Sequence, residues 1–180
     1  MLAIVPGPPS MSFQDYDLSY PLVFERLVTD VQGVLPAARI EHVGSTSVPG
    51  LGGRRVIDAV VIADDDAQPA TTAALVAAGF THSPYSWIEP TLTTSLQVGD
   101  VSYPVLLYVL AEDHPVVRGW LATRDHWRAN HDEADRYAQV KRAAIAAGHV
   151  QPWTYQQAKN PYLDQIARQL NQEDDKKHSP

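Results

Sequence analysis

The segment 40–62 constrains the fold more than any other part of the chain. Residues 40–43 form a short apolar run, and the glycine-rich stretch 44–50 (Gly-Ser-Thr-Ser-Val-Pro-Gly) follows it. A second apolar run, 56–62, carries one carboxylate, Asp58, near its start. A loop of this composition between two strands can bring backbone N–H groups and hydroxyls close to phosphate oxygens. Asp58 can then hold the Mg²⁺ that accompanies such phosphates.

Apolar periodicity on both sides of this unit predicts an α+β fold. Ser19 and Pro21 are suited to begin a helix whose apolar face reaches Leu35. Strands are predicted at 39–43 and 55–62, a helix at 69–78, and a hairpin of 91–98 with 101–110. Helices follow at about 113–129, 132–147 and 153–170. The pattern predicts a mixed β-sheet of about four or five strands, with the N-terminal helix and the C-terminal helices packed on it.

Length and composition favour one globular domain. The chain has 180 residues, of which 44% are hydrophobic and 19% are charged, and we place the domain at 13–170. Residues 1–12 are rich in Pro and Ser and are predicted to be a flexible lead-in. Residues 171–180 have no apolar anchor and are predicted to be a disordered tail.

Charge and cysteine content limit the partners. The net charge of −7 argues against general nucleic-acid binding. No apolar run approaches the ~20 residues of a membrane span, and residues 2–5 are too short for a secretory signal. The absence of cysteine fits a cytoplasmic location. We therefore expect a small-molecule or nucleotide ligand, and neither a nucleic acid nor a membrane.

The loop resembles the signature of the GrpB family, within the nucleotidyltransferase superfamily. In that family a Gly-Ser pair ends one strand, as Gly44-Ser45 does here, and an acidic residue about a dozen positions later begins the metal site. The similarity extends over about 16–166 and includes the segment 124–128 (Arg-Asp-His-Trp-Arg). It also includes two Tyr/Lys pairs in the C-terminal helices: Tyr137 with Lys141, and Tyr155 with Lys159.

The resemblance implies a nucleotidyltransferase-like mixed sheet and a nucleotide-dependent activity. A nucleoside triphosphate and Mg²⁺ would lie at Ser45, Ser47 and Asp58, with Asp58 as the catalytic and metal-binding residue. A small-molecule acceptor would lie under the C-terminal helices.

The chain departs from the family pattern in three places. Arg54 and Arg55 stand where relatives have Lys and Pro. Asp58-Ala59-Val60 lacks the superfamily's second acid, a loss that is common in the GrpB branch and does not distinguish this chain. Residues 106–109 read Leu-Leu-Tyr-Val where the family has His-Leu-His-Val. A two-metal mechanism needs a further carboxylate to hold the ions ~4 Å apart. Glu89 and Asp100 are candidates, although each is equally typical of an ordinary turn or surface acid.

Two interpretations remain open for each candidate residue of the loop. Gly44, Ser45, Thr46, Ser47 and Arg54 are predicted to bind phosphate, yet Ser/Thr-rich turns also bond their own backbone without any ligand. Asp58 is either functional or paired with a neighbouring arginine, because an unpaired carboxylate is costly to bury.

Cations on the C-terminal helices form a second candidate set. Arg124 and Arg128 lie four positions apart, as do Tyr137 with Lys141 and Tyr155 with Lys159. Such spacings usually mark a solvated helix face. In an acidic protein, helices packed over a sheet can instead direct several cations into one anionic pocket. The predicted substrate- or anion-binding residues are His42, Arg124, Arg128, Lys141 and Lys159, with His42 equally suited to a structural role.

Three functions fit these features. The first is a divergent nucleotidyltransferase-like protein that binds a nucleotide or other anionic small molecule at the loop and transfers a nucleotidyl group. The second is a noncatalytic nucleotide or metabolite binder that kept the loop and lost the acids. The third is an enzyme that uses the same pocket for unrelated chemistry, since a fold does not define a function.

Overall fold

The structure is a computed structural model that describes residues 12–84, 88 and 90–178. For residues 173–178 only the backbone is described. Most of the predicted lead-in and the candidate acid Glu89 lie outside these residues. In chain order the elements are α1 (Tyr20–Val34), β1 (Arg39–Val43), β2 (Ile57–Ile62), α2 (Gln68–Ala77), β3 (Thr81–His82), β4 (Thr91–Val98), β5 (Val101–Leu110), α3 (Pro115–Ala129), α4 (His131–Ala146) and α5 (Pro152–His178). The loop after β1 contains a single 3₁₀ turn at Ser45–Ser47.

The strands form one mixed five-stranded sheet, as the sequence predicted. Their order is β1-β2-β5-β4-β3, with β2 and β5 parallel and the other neighbours antiparallel. The β4–β5 hairpin turns at Gly99, whose φ of +57° suits the first position of a two-residue hairpin loop. In this register Asp58 of β2 lies between Val43 of β1 and Leu106 of β5.

Helices cover both faces of the sheet. α1 and α2 pack on one face through a core that includes Leu27, Leu75 and Leu107. α3 packs on the other face, the one that carries Val60 and Tyr108. α4 and α5 pack against the loop after β1 in a third cluster. The C-terminal helices therefore lie close to the loop, where they can contribute side chains to a site under it.

The structure differs from the sequence prediction mainly at element ends. The two-residue strand β3 was not predicted, because its exposed residues have no apolar pattern. α5 continues to His178 and so occupies most of the segment 171–180, for which we expected disorder; this polar segment contains no Gly or Pro before residue 180 that would end a helix. Although α5 has 27 residues, no helix of the described ranges is long and apolar enough to cross a membrane.

The apolar side chains buried in β5, the central strand of the sheet, should contribute strongly to stability. Leu107 is 0% exposed in β5, whereas Leu18 is 88% exposed before α1. We expect Leu107→Ala to lower the free energy of unfolding by about 2–5 kcal/mol, because it removes apolar contacts and leaves a cavity. Leu18→Ala, the same chemical change at an exposed site, should change it by less than about 0.5 kcal/mol. Urea unfolding of both variants measures the difference, and equal losses would contradict this assignment of the core.

Candidate functional site

Gly44 brings the loop into contact with Asp58. Gly44 has a φ of +69°, which favours glycine, and a Cβ built there would lie 2.6 Å from Oδ2 of Asp58. A side chain at position 44 would therefore collide with the carboxylate. The absence of a side chain lets the backbone pass directly over Asp58, so the two features singled out in the sequence form one site.

The three hydroxyls of the loop have different surroundings. Ser47 Oγ donates to the carbonyl oxygen of Gly44 at 2.6 Å. Thr46 Oγ1 donates to the carbonyl oxygen of Val56 at 3.2 Å and lies 3.0 Å from Nε2 of His42. Both hydroxyls therefore stabilise the loop itself. The half-buried Ser45 hydroxyl has no hydrogen bond to the described protein residues, and it lies beside Gly53, 2.5 Å from where a Cβ would be.

The second half of the loop is held by residues distant in sequence. Gln14 and Gly53 exchange two backbone hydrogen bonds, of 2.7 and 2.8 Å. The Phe13 ring lies against Gly52, where an added Cβ would be 2.6 Å from the ring. Lys141 Nζ donates to the carbonyl oxygen of Gly52. These contacts fix residues 52–53 next to Ser45, and they were not predicted because no local sequence pattern connects residues 13–14 with the loop.

Three cations lie around Asp58. Lys141 of α4 and Lys159 of α5 are only 2% and 7% exposed, and Arg54 comes from the loop. Lys159 Nζ and the Arg54 guanidinium both lie over the Tyr155 ring, at 4.4 and 5.3 Å from its centroid. Within the described ranges, neither Arg54 nor Lys159 forms a hydrogen bond or a salt bridge. The direct Asp58–arginine pair that the sequence left open is thus not formed.

The side chains around Asp58 include three basic groups, Arg54, Lys141 and Lys159. Burial, and then the charge of Arg54, lower the pKa of Lys159 to about 7, and Asp58 opposes this shift. Burial, and then the charges of Lys159 and Arg54, lower the pKa of Lys141 well below its usual value. Burial raises the pKa of Asp58, while Arg54 and Lys159 act in the opposite direction. An anionic ligand would relieve the repulsion among these cations.

The predicted Mg²⁺ does not fit this set of residues. The neighbouring positions on the face of the sheet that carries Asp58 are Glu41, Val43, Val60, Leu106 and Tyr108. The Glu41 carboxylate already forms salt bridges with Arg39 and Arg124, and the Tyr108 hydroxyl interacts with Asp58. Asp100 is exposed in the hairpin turn, about 20 Å along β5 from Leu106 at ~3.3 Å per residue. In the part of the chain that the structure describes, no group of three His, Cys, Asp or Glu could hold a metal ion.

His42, Arg124 and Arg128 lie at a different place, behind the loop. Arg124 bonds Glu41 Oε2 at 2.9 Å and the His42 carbonyl oxygen at 3.1 Å. Arg128 donates twice to the Ser47 carbonyl oxygen, at 2.9 and 2.8 Å. His42 stacks on Phe24 at 4.4 Å, and burial together with Arg128 and Arg124 lowers its pKa to about 3.

These residues brace the loop from behind. Part of this region is a separate cleft of about 550 Å³ whose walls include His42, Thr46 and Arg128. The structure therefore divides the predicted anion-binding residues into two groups. Gly44, Ser45, Arg54, Lys141 and Lys159 lie together around Asp58, whereas His42, Thr46, Ser47, Arg124 and Arg128 shape the loop and the cleft behind it.

Comparisons with known proteins agree with the sequence resemblance. The family model described as GrpB protein matches residues 10–169. A UPF0157 protein of Halalkalibacterium halodurans is 31% identical over 168 residues, which cover 90% of this chain and 83% of the relative. A UPF0157 protein of Streptomyces coelicolor is 31% identical over 154 residues, which cover 83% of this chain and 77% of the relative.

Solved structures confirm the expected fold class. The conserved protein GrpB from Enterococcus faecalis matches with a TM-score of 0.71 and 19% identity, over 90% of this chain and 98% of that one. The Cid1 poly(U) polymerase with bound MgGTP matches with a TM-score of 0.50 and 14% identity, over 71% of this chain and 43% of the polymerase. At these identities the likeness shows the fold alone: the sheet and helices are similar to those of nucleotidyltransferases.

The low pKa of Lys159 predicts a pH-dependent stability. Between pH 7 and pH 10 the unfolded chain keeps the proton that folded Lys159 has released, so stability should rise with pH by up to about 1.4 kcal/mol per unit. Lys159→Met removes this group. The free energy of unfolding of wild type, measured relative to that of the variant, should therefore increase from pH 7 to pH 9. Urea unfolding at several pH values measures it, and a difference independent of pH would show that Lys159 is charged throughout.

Proposed function

The chain belongs to the GrpB protein family, and from this premise we propose that it binds a nucleotide or a related phosphate-bearing small molecule in the pocket beneath the loop. The observation that carries the proposal is the pair of cations Arg54 and Lys159, which lie beside the loop and Asp58 without a hydrogen bond or salt bridge to any residue that the structure describes. Lys159 is buried, and a buried cation without a partner is costly. A phosphate group would supply the missing oxygen acceptors.

Phosphate is the anion that matches these donors best. Arg54 offers a planar guanidinium that can bond two oxygens, and Lys159 offers a compact ammonium. The unengaged Ser45 hydroxyl adds a third donor on the same side of the loop. The Cid1 polymerase, which shares the fold, was solved with MgGTP. We extend nucleotide binding to this chain only as part of the proposal.

A ligand-stabilisation screen tests the proposal directly. Purified protein is heated with ATP, GTP, UTP, CTP, ADP and inorganic phosphate, each in Mg²⁺ and in EDTA. A ligand at 100 times its Kd stabilises the folded state by about 2.7 kcal/mol, which gives a measurable rise in Tm. No rise with any phosphate compound, with binding also absent by calorimetry, would overturn the proposal.

Gly44 should be essential for this binding. We expect Gly44→Val to abolish nucleotide binding, because the added side chain would meet Asp58 and move the loop. Ser45→Ala should weaken binding by roughly 1–3 kcal/mol, the scale of one charge-assisted hydrogen bond. Gly33→Val is the matched control, because Gly33 is exposed in α1 and nothing lies within 4 Å of its Cβ position. Equal affinities in folded Gly44→Val and Gly33→Val would refute a site at the loop.

Nucleotidyl transfer is the second candidate function. The observation in its favour is that a carboxylate is retained directly beneath Gly44, on a fold shared with a polymerase. If the protein transfers nucleotides with Mg²⁺, wild type should release pyrophosphate from a nucleoside triphosphate in the presence of a suitable acceptor. Asp58→Asn should then reduce turnover by orders of magnitude with the fold intact. An active Asp58→Asn variant would exclude metal-assisted transfer at this carboxylate.

A further inference from the structure

Asp58 is enclosed in a way that suits a counter-ion better than a metal ligand. Oδ2 lies against the backbone of Gly44, which covers one side of the carboxylate. The Tyr108 hydroxyl interacts with the carboxylate from β5. A divalent ion needs about six oxygen ligands around it. Here the loop and the tyrosine occupy much of the space in which such a shell would form.

The charges around Asp58 are also wrong for a metal ion. Arg54, Lys159 and Lys141 all act on the carboxylate as positive charges. The neighbouring carboxylate on this face, Glu41 of β1, is already paired with Arg39 and Arg124, while β2 and β5 present Val60 and Leu106. An incoming Mg²⁺ would be repelled by the cations around Asp58 and would meet a single carboxylate outside a salt bridge.

We propose that Asp58 is the resident counter-ion of the Arg54, Lys141 and Lys159 cluster, and that the pocket recognises a phosphate group directly, without a metal ion. This inference rests on the proposed function and specifies how its site works. Asp58 offsets part of the positive charge while the pocket is empty of ligand. The positive charge of the cluster that Asp58 does not offset binds the phosphate.

This arrangement determines which ligand charge the cluster should bind best. A phosphate bound beside Lys141 and Lys159 favours their protonated forms. With all three cations protonated and Asp58 ionised in that bound state, the cluster has an excess of two positive charges. A terminal phosphate is a dianion near neutral pH and would neutralise that excess, whereas an internal phosphodiester carries one charge. The pocket should therefore prefer ligands that end in a phosphate. Magnesium on the ligand should weaken binding or leave it unchanged, because the metal cancels the charge that the cations recognise.

The decisive experiment measures ADP affinity by calorimetry for wild type and Asp58→Asn, each in EDTA and in Mg²⁺. Removal of a negative charge a few ångströms from the phosphate should strengthen binding, by at least about fivefold at an effective dielectric constant near 20. Wild type should bind ADP in EDTA at least as tightly as in Mg²⁺. Asp100→Asn is the matched control, since it makes the same charge change at the exposed hairpin turn and should leave the affinity unchanged.

A second variant keeps the test informative if Asp58→Asn does not fold. Lys159→Gln removes one cation and should weaken ADP binding in EDTA by at least about fivefold, the opposite of the Asp58 variant. Circular dichroism establishes that each variant is folded. Weaker or unchanged ADP binding by folded Asp58→Asn, or wild-type binding that requires Mg²⁺, would overturn the inference and leave nucleotide binding intact. Absence of ADP and phosphate binding in every variant would overturn the proposed function as well.

Discussion

The contact between Gly44 and Asp58 is the constraint on which the rest of the site depends. Because the Gly44 backbone passes over the carboxylate, the loop must turn immediately afterwards. Ser47 then closes the turn by bonding back to the Gly44 carbonyl oxygen, and Arg128 holds the Ser47 carbonyl oxygen from α3. The loop is therefore shaped from within and braced from behind. Ser45 is the hydroxyl of the three that remains available on the Asp58 side.

The two buried lysines make the cluster around Asp58 unfavourable for stability. Lys141 and Lys159 lose water on burial, and their mutual repulsion adds to the cost. The Tyr137 and Tyr155 rings offset part of it, with the ammonium groups 4.7 and 4.4 Å from the ring centroids. Functional sites commonly contain such locally unfavourable groups, which a ligand then stabilises. The same groups explain why stability should depend on pH.

The fold and the chemistry need to be considered separately for this protein. Its sheet and helices are similar to those of nucleotidyltransferases, and Asp58 lies on the strand next to the loop. On that sheet face the neighbouring carboxylate, Glu41 of β1, is paired with Arg39 and Arg124, and Val60, Leu106 and Tyr108 provide no further one. A fold can be retained while the reaction changes. The surroundings of the one retained acid, three cations and a tyrosine, are consistent with anion recognition.

Local sequence patterns determined the elements of this protein, and the tertiary structure decided how the candidate residues are grouped. Periodicity and turn residues, which are local in the sequence, predict the order of the helices and main strands. They also predict the hairpin at Gly99 and the loop between β1 and β2. No such pattern distinguishes Arg124 and Arg128, which hold the back of the loop, from Lys141 and Lys159, which lie near Asp58. Both pairs are cations on late helices. Their different roles arise from contacts more than 80 residues apart, such as Arg128 with Ser47 and Lys141 with Gly52. Contacts of this kind depend on how helices pack against the loop, and that packing is a property of the whole chain.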